Sequence, residues 1–459
     1  MVFVVRIVSP NDFGVFAVAL VVHAVVSSFG ELGLSSCISR RDLDPERVGP
    51  TVATLAWVSS FALAAITALS AEPLATALGS IHAANPIRVL SISIFLGGLF
   101  TVPGALLVRE FRQGRILLAS AVAFLPMNGL LLLLALNGDG AMAFAWSRVV
   151  GQLISGLVMV ASVKRQYWPR INVHEILPLL RFGLPLAGAN LLTYVFLNAD
   201  FAIIGRSLGT EQLGIYTLAF TIASWPTSIL SSTINSVAMP AFSAASSDSE
   251  DLTRLLRSST TIVALLAFPI AALSMVLATP LLIVVYGDKW SPAAPVLSVL
   301  AVYGALFSIS LLLSNLLVGT GRSGVVFLVQ GASILVLVPA VAWGVSVVGL
   351  VGAAYAHIGV VLLALILYVL LLRNSLAPGR GLIAATWWPL ATAAGAGTAA
   401  SLAAGLFDEP VASLAVGGVV GLLVCFAMAL PYLHAYAPTA LTSRLQRAVH
   451  AIGGVWRVR

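Results

Sequence analysis

Apolar runs of about 20 residues follow one another almost without pause, and that is what most limits how this chain can fold. A bilayer core of roughly 30 Å is crossed by a helix of that length. Thirteen such stretches are legible: 12–34, 50–71, 87–108, 116–136, 140–163, 183–206, 211–240, 258–286, 293–318, 324–347, 350–372, 381–406 and 411–433. A fourteenth is only a stump, Met1 to Val8. With 59% hydrophobic and 9% charged residues over 459 positions, the chain is far more apolar than a soluble core requires. Backbone polar groups in hydrocarbon must be satisfied within the segment itself, so the expectation is an all-α polytopic membrane protein.

The basic balance, with a pI of about 9.8, is topological. Sorted by loop, 19 of the 24 Lys and Arg residues fall on one side, from Arg40 and Arg109 through Arg181 to the tail. The alternate loops hold four, Arg6, Arg88, Arg206 and Lys289, and Arg148 lies inside a span. The positive-inside bias therefore predicts a cytoplasmic C-terminus in the cell membrane, with Arg6 and Arg206 outside, and no nucleic-acid partner. Two cysteines, Cys37 and Cys425, make no disulfide framework.

The chain also repeats itself. "VVRIVSPNDFGVFAVAL" from Val4 and "IIGRSLGTEQLGIYTLAF" from Ile203 align at an offset of 200, laying Arg6 on Arg206, Gly14 on Gly214 and Phe16 on Tyr216. "VLSISIFLGGLF" at Val89 and "VLSVLAVYGALF" at Val296 repeat at 207, as do "AEPL" at Ala71 and "ATPL" at Ala278. An even number of spans separates the copies, which predicts parallel repeats related by a pseudo-twofold along the membrane normal. The expected divisions are an N-terminal lobe over 1–163, a cytoplasmic linker over 164–182, a second lobe over 183–373, an appended helix pair over 374–436 and a basic tail over 437–459. Within the linker, Ile176, Leu179 and Leu180 beside basic residues suggest a helix lying on the leaflet, and a plain charged linker is the alternative. The second copy closes a full helix from about Phe182, so the first helix is expected to lack its front part. N-terminal sequencing of the native protein tests this: a mature chain beginning at Met1 refutes it.

Taken together, "RIVSPNDFGVFAVAL", "GELGLSSCISRRDLDPE", "VPGALLVREFR", "LLRFGLPLAGANLLTYVFLNADFAIIGRSLGTEQLGIYTLAF", "MPAFSAASSD" and "YGDKWSPAAPVLSVLA" resemble, in order and spacing, a known family. It is the polysaccharide exporters of the multidrug/oligosaccharidyl-lipid/polysaccharide superfamily, in the Wzx-like branch that includes colanic-acid and teichuronic-acid exporters. The resemblance runs from Arg6 to about Leu372. It implies fourteen helices, two six-helix lobes around a central cavity, and flipping of polyprenyl-diphosphate-linked oligosaccharide to the outer leaflet by alternating access.

Such a substrate carries an anionic headgroup through hydrocarbon, and ionisable residues inside a membrane default to functional candidates. Arg148, in "AWSRVVGQL", is the headgroup candidate, because guanidinium grips phosphate with two parallel donors; an Arg that pairs with a carboxylate to hold helices is the alternative. Asp200 is a candidate for ion coupling or for pairing between lobes with Arg148, and Arg206 is a nearer partner. Arg6 and Arg206 are gate candidates that also suit snorkelling to headgroups, and Glu31 is an inner-gate candidate near Arg40 and Arg41. His23, Asn190, Asn198, Asn235, Gln330 and His357 are polar candidates for a wetted cavity, and helix-to-helix hydrogen bonding explains them equally.

No metal-ligand cluster, nucleotide loop or nucleophile constellation is present, so no cofactor and no enzyme activity are expected. The expected partners are the lipid-linked oligosaccharide, membrane lipids and a polysaccharide polymerase. The rival readings are a membrane polymerase or glycosyltransferase, disfavoured by short outer connections such as "LNGDGAM", and a drug or cation exporter of the same superfamily.

Overall fold

The computed structural model describes residues 2–30, 32–39, 43–244, 249–372 and 378–436. Every regular element among them is helical. The first half holds α1 (Val2–Ile7), α2 (Pro10–Gly30), α3 (Leu34–Ser39), α4 (Pro45–Leu69), α5 (Ala71–Ala77), α6 (Ala84–Arg109), α7 (Gln113–Leu136), α8 (Gly140–Ser162) and α9 (Val173–Leu197). The second holds α10 (Ala199–Leu208), α11 (Thr210–Ala244), α12 (Ser249–Val276), α13 (Ala278–Tyr286), α14 (Ala294–Gly319), α15 (Ser323–Val348), α16 (Leu350–Leu372), α17 (Pro378–Ala404) and α18 (Pro410–Tyr436). Among the described residues, 12 helices are long and apolar enough to cross a membrane. Each of the thirteen predicted stretches is helical, α17 with its 27 residues among them.

The boundaries differ where backbone geometry overrides hydropathy. The first predicted span stops at Gly30, because Leu32 (φ 47°) and Gly33 (φ 65°) turn the chain left-handed into α3. The stretch predicted over 183–206 breaks at Asn198 between α9 and α10, and the one over 258–286 breaks at Leu277.

The linker differs most. Among the described residues, 164–172 form no helix, and α9 starts at Val173 and runs on through Pro178 and Pro185. Residues 164–172 are instead held along the start of α4. Arg165 pairs with Glu46, Tyr167 covers Gly49, the Arg170 N–H donates to Pro50 O at 3.3 Å, and Thr54 Oγ1 donates to Arg170 O at 3.0 Å. Asn172 Oδ1 accepts the His174 N–H at 3.2 Å and starts α9. Glu175, in the first turn, is buried against Arg47, and Leu179 packs among Leu34, Ile38 and Val102. The apolar residues expected to face lipid thus include one that faces protein.

The repeat is visible in the succession of elements. A short helix, a 3-10 stretch and a 26-residue helix occur as α5, Ile81–Ala83 and α6, and again as α13, Asp288–Ala293 and α14. The following pairs match as well, with α8 and α16 both 23 residues long.

The chain packs as two units. The first comprises Met1–Leu218, Val285–Pro292 and Val338–Ala353. In it the two copies of the repeat meet reciprocally. A Cβ at Gly14 would overlap the Thr210 carbonyl, and one at Gly214 would overlap the Pro10 carbonyl, Thr210 being the repeat equivalent of Pro10. Gly79 (φ 90°) abuts Gly205 and Arg206, and Gly287 (φ 97°), next to Tyr286, the offset-207 match of Gly79, abuts Arg6. Only glycine holds such a φ without strain. The last carbonyls of short α1 are taken by this second contact: fully buried Trp290 donates Nε1–H to Val5 O at 3.0 Å, and Lys289 Nζ donates to Ile7 O at 3.0 Å.

The second unit comprises Ala219–Val284, Ala293–Leu337 and Ala354–Arg459. Its core gathers Phe242, Leu313, Leu316 and Tyr368 from α11, α14 and α16. The pair α17 and α18 packs on α12, where the Trp388 Nε1–H donates to Met428 O at 3.0 Å and Leu273 fills the space left by Gly421.

Gly14→Val forces α2 and α11 apart at their backbone contact. It is expected to lower stability by about 1–3 kcal/mol, measured as a loss of thermal midpoint in detergent. Gly129→Ala in α7, where a Cβ meets nothing within 4 Å, should leave the midpoint unchanged or higher.

Candidate functional site

Helices α6 and α8 set the site. A Cβ at Gly97 would lie 3.4 Å from Gln152 Nε2 and one at Gly104 would lie 3.9 Å from Met159 Sδ, while Phe100 fills the space over Gly156. These pairs keep a separation of 55 or 56 residues, so the helices run parallel in constant register. The same spacing brings Ser93 level with Arg148. On the third wall, His23 Nε2 of α2 and Ser93 Oγ share a buried hydrogen bond of 2.6 Å.

Between these helices, α3 and α9 lies a cavity of about 500 Å³ within the first unit. Its α2 wall carries His23, Ser27 and Ser28, and α3 adds Ser35 and Ser36. From α6 come Ser93 and Gly97, from α8 Arg148 and Gln152, and from α9 Asn190 and Tyr194. Of the polar side chains of α8, Arg148 and Gln152 line the cavity as a polar stripe. Four residues apart, Arg148 and Gln152 share that stripe.

Arg148 is exposed to this space and makes no hydrogen bond or ion pair with any described residue. A guanidinium among helices of a membrane bundle, neither paired nor at a span end, is solvated only by what enters the cavity. Its five donors suit a phosphate or a carboxylate bidentately. Asn190 and Gln152 likewise have no side-chain partner among the described residues, whereas Ser27 and Ser28 donate to the carbonyls of Ala24 (3.3 Å) and Val25 (2.7 Å). Among the described residues the lining thus combines one free cation, free amides and hydroxyls, with the Tyr194 ring alongside. Among the described residues there is no group of three metal-ligating side chains.

The predicted residues separate. Arg148, His23 and Asn190 meet in the cavity. Asp200 does not join them: it is buried and accepts the Tyr216 hydroxyl at 2.9 Å, and the predicted pair with Arg148 is not formed. Arg206 does not serve Asp200 either, since six residues along a helix place it about 240° round the axis; it donates to Ala77 O at 3.2 Å. Arg6 and Arg206 are both exposed. Asn198 sits at the α9 break and donates to Tyr194 O at 2.8 Å. In the second unit, Asn235 accepts from Asn315 Nδ2 at 2.8 Å, and His357 is buried between the rings of Tyr303 and Phe220, with centroids at 5.0 and 5.9 Å. Gln330 is exposed on α15. Glu31 lies outside the described residues. Gln152, Tyr194 and the cavity serines escape the sequence reading; the spacing of four between Arg148 and Gln152 is the signal that finds the first of them.

The sequence profile of a family described as polysaccharide biosynthesis protein matches residues 3–295. The succinoglycan biosynthesis transport protein ExoT of Rhizobium meliloti is 30% identical over 332 residues, covering 70% of this chain and 65% of ExoT. The lipopolysaccharide biosynthesis protein WzxC of Escherichia coli is 25% identical, covering 85% of this chain and 80% of its own length. Among solved structures, the lipid II flippase MurJ in an inward closed conformation superposes with a TM-score of 0.77 at 13% identity, covering 95% of this chain and 97% of MurJ. An inward-facing multidrug resistance MATE family transporter of the MOP superfamily gives 0.62 at 17% identity, covering 80% of this chain and 92% of its own. These likenesses establish the fold.

The Asp200–Tyr216 contact predicts a coupled pair. Tyr216→Phe and Asp200→Asn should each lower stability by about 1–3 kcal/mol, and the double variant by less than their sum, in thermal unfolding of the purified protein.

Proposed function

Because the chain belongs to the polysaccharide biosynthesis protein family, we propose that it flips a polyprenyl-diphosphate-linked oligosaccharide from the inner to the outer leaflet of the cytoplasmic membrane. The observation that carries this is the unpaired Arg148 in a polar cavity inside a bundle of apolar helices. A membrane protein that needed Arg148 only for cohesion would pair it, since a charge in hydrocarbon is stabilised by a partner or by water. Left free, it holds the diphosphate by two parallel hydrogen bonds, while hydroxyls and amides of the cavity replace water around the sugars and the prenyl tail stays in lipid.

Movement follows an alternating-access scheme in which two bundles related by a pseudo-twofold tilt against each other. The reciprocal contacts of Gly14 with Thr210 and of Gly214 with Pro10 support that symmetry, because a twofold makes residue i meet j and j meet i. The basic loops support an orientation with Arg112 and the tail in the cytoplasm. Arg6 and Arg206 then lie at the outer ends, and the cavity reaches from mid-membrane toward the cytoplasmic end of α2. The protein acts as a transporter and not as an enzyme, and the flipped lipid is the substrate of a polymerase on the outer face. The names of ExoT and WzxC, a transport and a biosynthesis protein of surface polysaccharides, agree with this reading.

Depletion followed by lipid extraction tests it. Lipid-linked oligosaccharide should accumulate in the inner leaflet; an unchanged lipid pool beside an unassembled polymer rejects flipping. In the same assay Arg148→Gln should reduce transport about 10- to 100-fold, the loss of a charge-assisted hydrogen bond, and Arg148→Lys should fall between. Full transport by Arg148→Gln removes it from the headgroup role.

A further inference from the structure

One helical turn beyond Arg148, on the same face of α8, stands Gln152. Its side chain is half-buried, lines the cavity and makes no hydrogen bond with any described residue. A primary amide brings two donors and an acceptor, and inside a helix bundle such a group is ordinarily satisfied by a neighbour. Here the neighbour is missing in a particular way. The residue across from it on α6 is Gly97, where even a Cβ would stand 3.4 Å from Gln152 Nε2. The amide therefore looks into space that a larger residue on α6 would fill, and the hydroxyls of Ser27 and Ser28 are already donated to their own helix.

Distance along the helix gives the amide its meaning. Four residues of α-helix advance about 6 Å, comparable to the step from a phosphate through its bridging oxygen to the middle of a sugar ring. A phosphate on Arg148 places the first ring beside Gln152, in the gap left by Gly97. We infer that Gln152 is the specificity-determining residue for the group attached directly to the anion, and that it reads a hydroxyl- or acetamido-bearing ring. This rests on the headgroup role of Arg148, and the two are separable because Arg148 governs affinity for any diphosphate whereas Gln152 governs the preference for a glycosylated one.

The test uses the full chain in lipid nanodiscs and four probes: undecaprenyl diphosphate and its glucosyl, galactosyl and N-acetylglucosaminyl derivatives. The quantity measured is the ratio of the bare probe's Kd to each glycosyl probe's. For the wild type, at least one glycosyl probe should bind about fivefold tighter or more, the worth of one well-made hydrogen bond. Gln152→Leu, and independently Gly97→Val, should bring that ratio to about 1. A ratio retained in both variants, or a wild-type ratio of about 1 for all three glycosyl probes, overturns the inference. Should Gln152→Leu fail to fold, Gln152→Asn, which withdraws the amide by one methylene, replaces it beside Gly97→Val. Arg148→Gln should weaken all four probes in parallel; unchanged affinity there refutes the headgroup role, while the ratio still judges Gln152.

Discussion

Two helices that begin corresponding copies of a repeat meet with only backbone between them, at Gly14 and Gly214. Neither position has room for a Cβ, because each would overlap the carbonyl that starts the other helix. Close approach of this kind is how membrane helices associate when lipid offers no hydrophobic drive, since dispersion and weak polar contacts act only at short range. The contact fixes the rest of the first unit. With α2 and α11 crossing there, Asn11 and Thr210 hydrogen-bond beside the crossing, and Gly79 and Gly287 each come to rest on the other copy's arginine. Trp290, with its ring edge-on to Phe13, then closes the end of α1.

Hydrocarbon imposes a second rule, that polar groups be satisfied internally. Most hydroxyls here obey it locally, donating to carbonyls three or four residues back, as Thr67 does to Leu63 and Thr101 to Gly97. Asp200 obeys it with Tyr216. Against that background the free groups of the cavity stand out. Arg148, Gln152 and Asn190 share one space and have their donors open at once. In a bundle where most hydroxyls are satisfied within their own helices, such a gathering of unspent donors is what a polar ligand would complete.

Hydropathy made the helices legible, and the offset of 200 made the reciprocal contact foreseeable in outline, because equivalent glycines were already aligned. Arg148, His23 and Asn190 were legible as polar residues in apolar runs. Their company was not. Serines are too common in membrane helices to be singled out, and the meeting of α6 with α8 depends on Gly97, Gly104 and Gly156, whose role is an absence of atoms. The Asp200 partner was missed for a related reason: Tyr216 reads as an aromatic core residue, and only the angle around α10 excludes Arg206. The linker is less legible because the amphipathic spacing of Ile176, Leu179 and Leu180 fits a protein surface as well as a leaflet, and Leu179 packs on protein.

A single free cation among the described lining residues also sets how tightly the cavity can hold an anion. A carrier must bind well enough to draw its ligand from one leaflet and weakly enough to release it into the other, the same compromise that governs permeation through multi-site pores. Several arginines converging on one diphosphate would trap it, and an arginine already paired to a carboxylate would first have to break that pair. One unpaired guanidinium, supplemented by neutral amides and hydroxyls whose hydrogen bonds water can replace at little net change, keeps binding moderate. The neutral groups add discrimination without deepening the electrostatic well. On these grounds the sparse charge among the described lining residues suits the proposed cargo, anionic only where a carrier lipid joins the sugar.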